Sequence, residues 1–249
     1  MELSSELAYK WNFIIKSIAL IISCIITPIV TLLIYNNTSG IPGWSLEEFI
    51  LLQGTFIFVL GIARLFMFDF PSKIISNVRR GEFDKFLLKP YSPLLYLTFS
   101  SIQIEGIAEL TTGLCLIVWS FVKLNLDIWS FGFLFYLMFI ALGILFLYSF
   151  IILISSLSFL IVNSYALFDL FFKLTDLSRY PASIYGLTVR FFVTFLLPLA
   201  ILGYYPAEAM LRGANLGLIL QISIPVILFF FITLFLWNRA MRKYSSAGG

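Results

Sequence analysis

The residues able to do chemistry are few, and they sit in an apolar chain. Glu105 and Glu109 are four positions apart, a spacing that puts both carboxylates on one face of a helix. Gln103 lies beside them, and Arg64 and Arg190 are the basic residues inside other apolar runs. A charge at mid-membrane costs at least about 2.5–3.5 kcal/mol, so such a group must be paired or functional. If the run beginning at Leu94 is one span, the two carboxylates fall near its middle and read as a polar lining or gate. If Leu94 to Glu105 extends beyond the membrane, they fall at the inner rim and pair with Arg64. The sequence favours the second arrangement, because only Leu110 to Val122 is free of charge. There is no histidine, which excludes imidazole acid–base catalysis and histidine metal ligation. Cys24 and Cys115 lie in separate apolar runs and form no zinc or redox pair. No G-x-x-x-x-G-K-[ST] loop occurs, so the chain carries no P-loop for ATP.

The elements that position these groups follow from composition. Of 249 residues 61% are hydrophobic, 18% aromatic and 12% charged, with a net charge of +3. Soluble domains carry roughly 25% charged residues. This chain lacks the polar surface of a water-soluble globule, and its mean hydropathy is +1.01. It reads as an all-α integral membrane protein, a single domain over residues 1–249. The net charge is too small to argue for nucleic acid.

Six apolar runs are long enough to cross a bilayer: Ser17 to Tyr35, Phe49 to Phe68, Leu94 to Val122, Ile128 to Val162, Ile184 to Leu202 and Leu218 to Trp237. Ahead of them Leu3, Leu7, Trp11, Ile14 and Ile18 recur at helical spacing beside Glu2, Glu6, Lys10 and Lys16. Residues 1–16 therefore read as an amphipathic interfacial helix. Lysines and arginines fall mainly on one side: 12 lie at the termini or between spans two and three and four and five, against Lys123 and Arg212 on the other. The positive-inside rule then makes both termini cytoplasmic.

The fourth run is too long. Its 35 residues would make about 52 Å of helix, against a hydrocarbon core of about 30 Å. Either it projects into the cytoplasm, or the chain turns near Ser155, Ser156 and Ser158. In the second case a further span reaches about Asp176 and Ile184 to Leu202 is an outer re-entrant hairpin. The charge rule prefers the first. An outer loop at 203–217 precedes the last run, and Gly213 and Gly217 there have a small-xxx-small spacing that permits close helix contact.

The segment 71–93 between spans two and three is the most polar stretch. Phe83, Phe86, Leu87 and Pro90 share one face, with Glu82, Asp84, Lys85 and Lys89 around them. Gly81 allows a bend, and Pro90 and Pro93 end the helix. Such an apolar face on a cytoplasmic loop needs a cover, either a partner protein or lipid headgroups.

The string Arg80-Gly-Glu-Phe-Asp-Lys-Phe-Leu-Leu-Lys-Pro90 resembles a segment of the permease subunits of bacterial ABC exporters of the second, ABCG-like topology. Ile41-Pro-Gly-Trp44, the stretch from Leu177 through Pro198 to Glu208, and Arg242 to Gly249 also resemble that family. The matches run in order over most of the chain. The resemblance implies half of a six-span pore in the bacterial cytoplasmic membrane, completed by a second permease, the same or different. It implies a separately encoded ATPase that binds ATP and Mg, so this chain needs no cofactor of its own. Carried over, Gly81, Glu82, Phe83, Asp84, Leu87, Leu88, Lys89 and Pro90 form the coupling helix that docks on that ATPase. It also favours the outer hairpin for Ile184 to Leu202, against the charge count. The apolar walls point to an amphipathic or lipid-like substrate. The competing functions are a membrane-embedded lipid-modifying enzyme or an ion-gradient carrier using Glu105 and Glu109, and a structural or sensory subunit.

Overall fold

The computed structural model describes residues 10–100, 102–103, 106–159 and 165–244. Every regular element among them is helical, as the composition requires. The longer ones are α1 (Lys10–Asn37), α2 (Leu46–Met67), α3 (Asp69–Arg79) and α4 (Asp84–Leu87). They continue as α5 (Pro93–Ser100), α6 (Gly106–Lys123), α7 (Phe131–Leu157) and α8 (Tyr165–Thr175), then α9 (Leu187–Phe191), α10 (Tyr204–Arg212) and α11 (Leu216–Met241). Five stretches are long and apolar enough to cross a membrane: Ile14–Asn37, Leu46–Arg79, Gly106–Lys123, Phe131–Leu157 and Leu216–Met241.

Local signals start these helices. Ser45 Oγ accepts from Glu48 N at 3.2 Å and Glu48 Oε2 accepts from Ser45 N at 2.9 Å, a capping box opening α2. Ser130 caps α7 and Asn215 caps α11 through the backbone N–H three residues on. Inside the spans, hydroxyls donate to the carbonyl four residues back, as Thr55 does to Leu51 and Ser156 to Ile152. These hydroxyls are thereby satisfied without water.

The antiparallel pair α2–α6 is the closest in the bundle. Gly54 and Gly61 on α2 meet Gly113 and Gly106 on α6. A Cβ at Gly113 would lie 2.5 Å from Phe58 N, and one at Gly106 would lie 2.5 Å from Leu65 N. Helix α7 packs on α11 through Phe146, Phe150 and Phe229, with Phe171 of α8 in the same aromatic cluster. Loop 80–92, the C-terminus of α7 and the C-terminus of α11 share one end of the bundle. There Phe83, Phe159, Trp237 and Tyr244 meet.

Several sequence expectations change. Among the described residues five helices have spanning length and apolarity, against six runs in the sequence. The third span starts at Gly106 and not at Leu94, because α5 is a separate helix. The Gln103 backbone N–H leaves the helical ladder and donates to Leu65 O at 2.9 Å, and Gly106 must then pass against the backbone of α2. Helix α7 ends at Leu157, so the chain turns in the serine-rich stretch. Helix α8 then runs back along α2: Phe168 and Phe172 lie on Phe68, and Tyr180 stacks on Phe49.

Ile184 to Leu202 is not a continuous span. It consists of α9, a π turn Phe192–Leu196, a break at Pro198 and a 3-10 turn Leu199–Leu202. Pro198 has no N–H to continue the ladder. The segment dips until Gly203 reaches Leu52 and Phe56, then α10 returns to Trp44 and Glu48 at the start of α2. Its geometry is that of a hairpin. The expected loop 203–217 is largely α10. Residues 10–16 continue into α1 without a break, whereas residues 1–9 lie outside the described residues.

Candidate functional site

The polar segment 71–93 is shorter as a loop than the sequence suggests. Pro71 to Arg79 belong to α3, which prolongs α2. A Schellman turn ends α3: Gly81 N donates to Val78 O at 3.1 Å and Glu82 N to Asn77 O at 2.9 Å. Gly81 has φ 67°, the left-handed conformation that glycine takes without strain. One helical turn follows, Asp84–Leu87, and α5 opens at Pro93. Lys73 clamps the two arms, pairing with Asp69 at 3.4 Å and donating to the Ser100 carbonyl.

The apolar face expected from Phe83, Phe86, Leu87 and Pro90 divides in two. Phe83 is fully buried, edge-on to Phe159 at 4.9 Å and to Tyr244 at 5.4 Å. Phe86 is buried against Phe83 and Tyr96. Leu87 and Leu88 point outward; Leu88 is 86% exposed. Pro90 is exposed and Asp84 half-buried. Lys89 lies over the Tyr96 ring at 3.5 Å. Glu82 accepts from Lys85 at 2.7 Å, and this hydrogen bond, with the lysine's charge, holds the Glu82 carboxyl below its ordinary value. Tyr91, exposed beside Leu88, is an outward residue the sequence reading did not select. It borders a cavity of about 550 Å³ whose walls include Leu95 and Phe99. Its place after Pro90 is the only signal that could have marked it.

The membrane charges resolve differently from one another. Arg64 Nε donates to Glu109 Oε2 at 2.8 Å, and the guanidinium lies 4.5 Å from the Phe68 ring centroid. Glu109 is in the first turn of α6, toward the end of the bundle that carries loop 80–92. It lies at the start of its helix and not at the middle. Gln103 contributes its backbone to the α2 contact, whereas Glu105 lies outside the described residues. Arg190 does not join Arg64 and Glu109; it sits on α9 at the hairpin.

At the far end of the bundle Arg212 donates to Gly43 O at 2.6 Å, lies 3.8 Å from Glu48 and covers the Trp44 ring. These contacts tie α10 to the loop before α2. Gly213 and Gly217 do not form the helix contact their spacing suggests. Gly213 ends α10 at φ 76° with nothing near it, and Gly217 meets only Asn215 of its own helix cap. The glycines of the closest helix contact are Gly54, Gly61, Gly106 and Gly113. Their seven-residue spacing on both helices was the signal available in the sequence.

Apolar helices of spanning length define a membrane protein. Residues 21–248 match the family model described as ABC-2 family transporter protein, and the chain belongs to that family. It is the membrane component of an ABC transporter and not itself the ATPase. No curated protein and no solved structure matches it.

Proposed function

We propose that the turn at 81–90 is the docking point for a separately encoded ATPase, and that the chain is one half of an exporter completed by a second permease. The observation that carries this is the division of the loop: Phe83 bolted into the bundle, Leu87 and Leu88 turned outward. A large apolar side chain at 86% exposure on a rigid, charged turn is suited to insert into a partner's groove. Movement imposed there has a mechanical route. Phe83 touches Phe159 beyond α7 and Tyr244 beyond α11, and the turn follows directly on α3 and α2. ATP and Mg act in the partner. Its closure would tilt these helices as a body, the rigid-body type of alternating access.

The distribution of Lys and Arg supports a cytoplasmic position for this turn and for both termini, in a bacterial cytoplasmic membrane. The apolar, aromatic walls favour an amphipathic or lipid-like substrate. The enzyme and ion-carrier readings lose support, because Glu109 is already committed to Arg64. The test is purification of the tagged chain in mild detergent from its native cell. A stoichiometric ATPase that is lost when Leu87 and Leu88 become aspartate supports the proposal. Isolation of the chain with no ATPase under conditions that preserve the bundle refutes it.

A further inference from the structure

Arg190 is the basic residue of the hairpin, and it is exposed. Leu187, Phe191 and Leu196 beside it are 88%, 62% and 65% exposed, so the hairpin's outer face is apolar. Arginine in such a setting needs an anion or a polar cavity. Among the described residues no carboxylate lies within ion-pair distance of its guanidinium. The nearby acid, Glu208, accepts instead from Tyr204 at 2.9 Å.

What Arg190 does have is a cavity of about 580 Å³, within the range of about 300–1,000 Å³ usual for ligand pockets. Three elements build it. Phe191 and Phe195 of the hairpin give it apolar wall; Thr194, Tyr205 of α10 and Gln221 of α11 give it hydrogen-bonding groups. Thr194 and Tyr205 are buried and bonded to each other at 3.1 Å, so this side is preformed. The turn that carries Thr194 and Phe195 is a π turn, a form found frequently at functional sites. One cation, amide and hydroxyl groups and an aromatic wall match a molecule with an anionic head and an apolar tail.

We propose that the cavity between the hairpin, α10 and α11 binds the anionic head of an amphiphile, with Arg190 as counter-ion and Gln221 as hydrogen-bonding partner. The head is a carboxylate or a phosphate ester. It belongs either to a lipid of the surrounding bilayer or to a transported amphiphile. The inference deepens the transport reading by giving the amphiphile a charge. It does not depend on ATPase docking, since binding is measured without ATP.

The test uses the purified transporter, with whatever subunits accompany the chain, in nanodiscs of phosphatidylcholine. The probe is dansyl-undecanoic acid, followed by energy transfer from tryptophan. Wild type binds the acid at least about tenfold more tightly than its uncharged methyl ester. Arg190→Gln abolishes that preference, and Arg190→Lys keeps most of it. Both variants must match wild type in elution profile and melting temperature. Should Arg190→Gln fail to fold, Gln221→Leu is expected to weaken acid binding while leaving ester binding unchanged. Displacement of the probe by added phosphatidylglycerol assigns the site to bilayer lipid; persistence of the probe assigns it to a transported amphiphile. Equal binding of acid and ester by wild type, or unchanged preference in Arg190→Gln, overturns the proposal. Loss of ATP-driven transport with acid preference intact would count against the exporter reading alone.

Discussion

Replacing Gly113 with alanine places a methyl group 2.5 Å from Phe58 N and 2.7 Å from Phe58 Cα, both backbone atoms of the facing helix. Ordinary contact begins at 3.4 Å. A backbone cannot rotate away as a side chain can, so α2 and α6 must separate locally by about 1 Å. A gap of that order forfeits about a quarter to a half of each affected dispersion contact. Overpacking of this kind costs about 1–3 kcal/mol. In a protein of this length each kcal/mol moves the midpoint by about 2–4 °C, so Gly113→Ala lowers the melting temperature by roughly 2–12 °C. The assay is thermal unfolding of the purified transporter in one detergent, read by tryptophan emission. Gly217→Ala is the control: its Cβ meets only Asn215 Oδ1 at 3.4 Å, and its midpoint is expected to move by less than about 2 °C. Equal midpoints for wild type and Gly113→Ala, or a larger loss in Gly217→Ala, would show that the glycine seam does not hold the helices together.

The other predictions concern the loop and the rim. Phe83→Ala removes a fully buried ring and destabilises the bundle by about 3–5 kcal/mol, whereas Leu88→Asp leaves the melting temperature unchanged and releases the ATPase. Melting and pull-down on the same preparations separate the two effects. Glu109→Gln breaks the 2.8 Å pair and costs about 1–3 kcal/mol, moderated because Arg64 retains solvent contact. Adding Arg64→Gln costs less than it does alone, a coupling that a double-mutant cycle on melting midpoints measures. Glu82 titrates below its ordinary value of 4.5 because Lys85 stabilises the carboxylate. The pair's contribution is therefore present above that value and lost as pH falls through the lowered one. Lys85→Ala raises the Glu82 titration point, observable by carboxyl NMR of labelled protein, and leaves behaviour near pH 7 unchanged.

Hydropathy alone determined that the chain is helical and membrane-embedded, since unpaired backbone groups are not tolerated in hydrocarbon and the helix satisfies them locally. The turn at Gly81 was equally legible, because a left-handed φ is met without strain by glycine alone, whereas Pro93, expected to end a helix, instead opens α5. Long-range choices were not. Residues 94–105 are apolar enough to continue a span, but the Gln103 backbone bonds to Leu65 on another helix, and no periodicity encodes that bond. Ile184 to Leu202 has the length of a crossing, yet Pro198 and the contacts of Gly203 fold it back. Phe83 and Leu88 are comparable as sequence: both apolar, both beside charges. Only Phe159 and Tyr244, brought from two distant helix ends, decide that one is an anchor and the other is presented. Arg64 and Arg190 are likewise alike as sequence, each a basic residue inside an apolar run. Antiparallel packing of α2 on α6 brings the first to 2.8 Å from Glu109, and the hairpin carries the second to a cavity with no acid among the described residues at ion-pair distance. Sequence determined which groups must be paired, and tertiary structure decided with what, because pairing depends on distances set by helix packing.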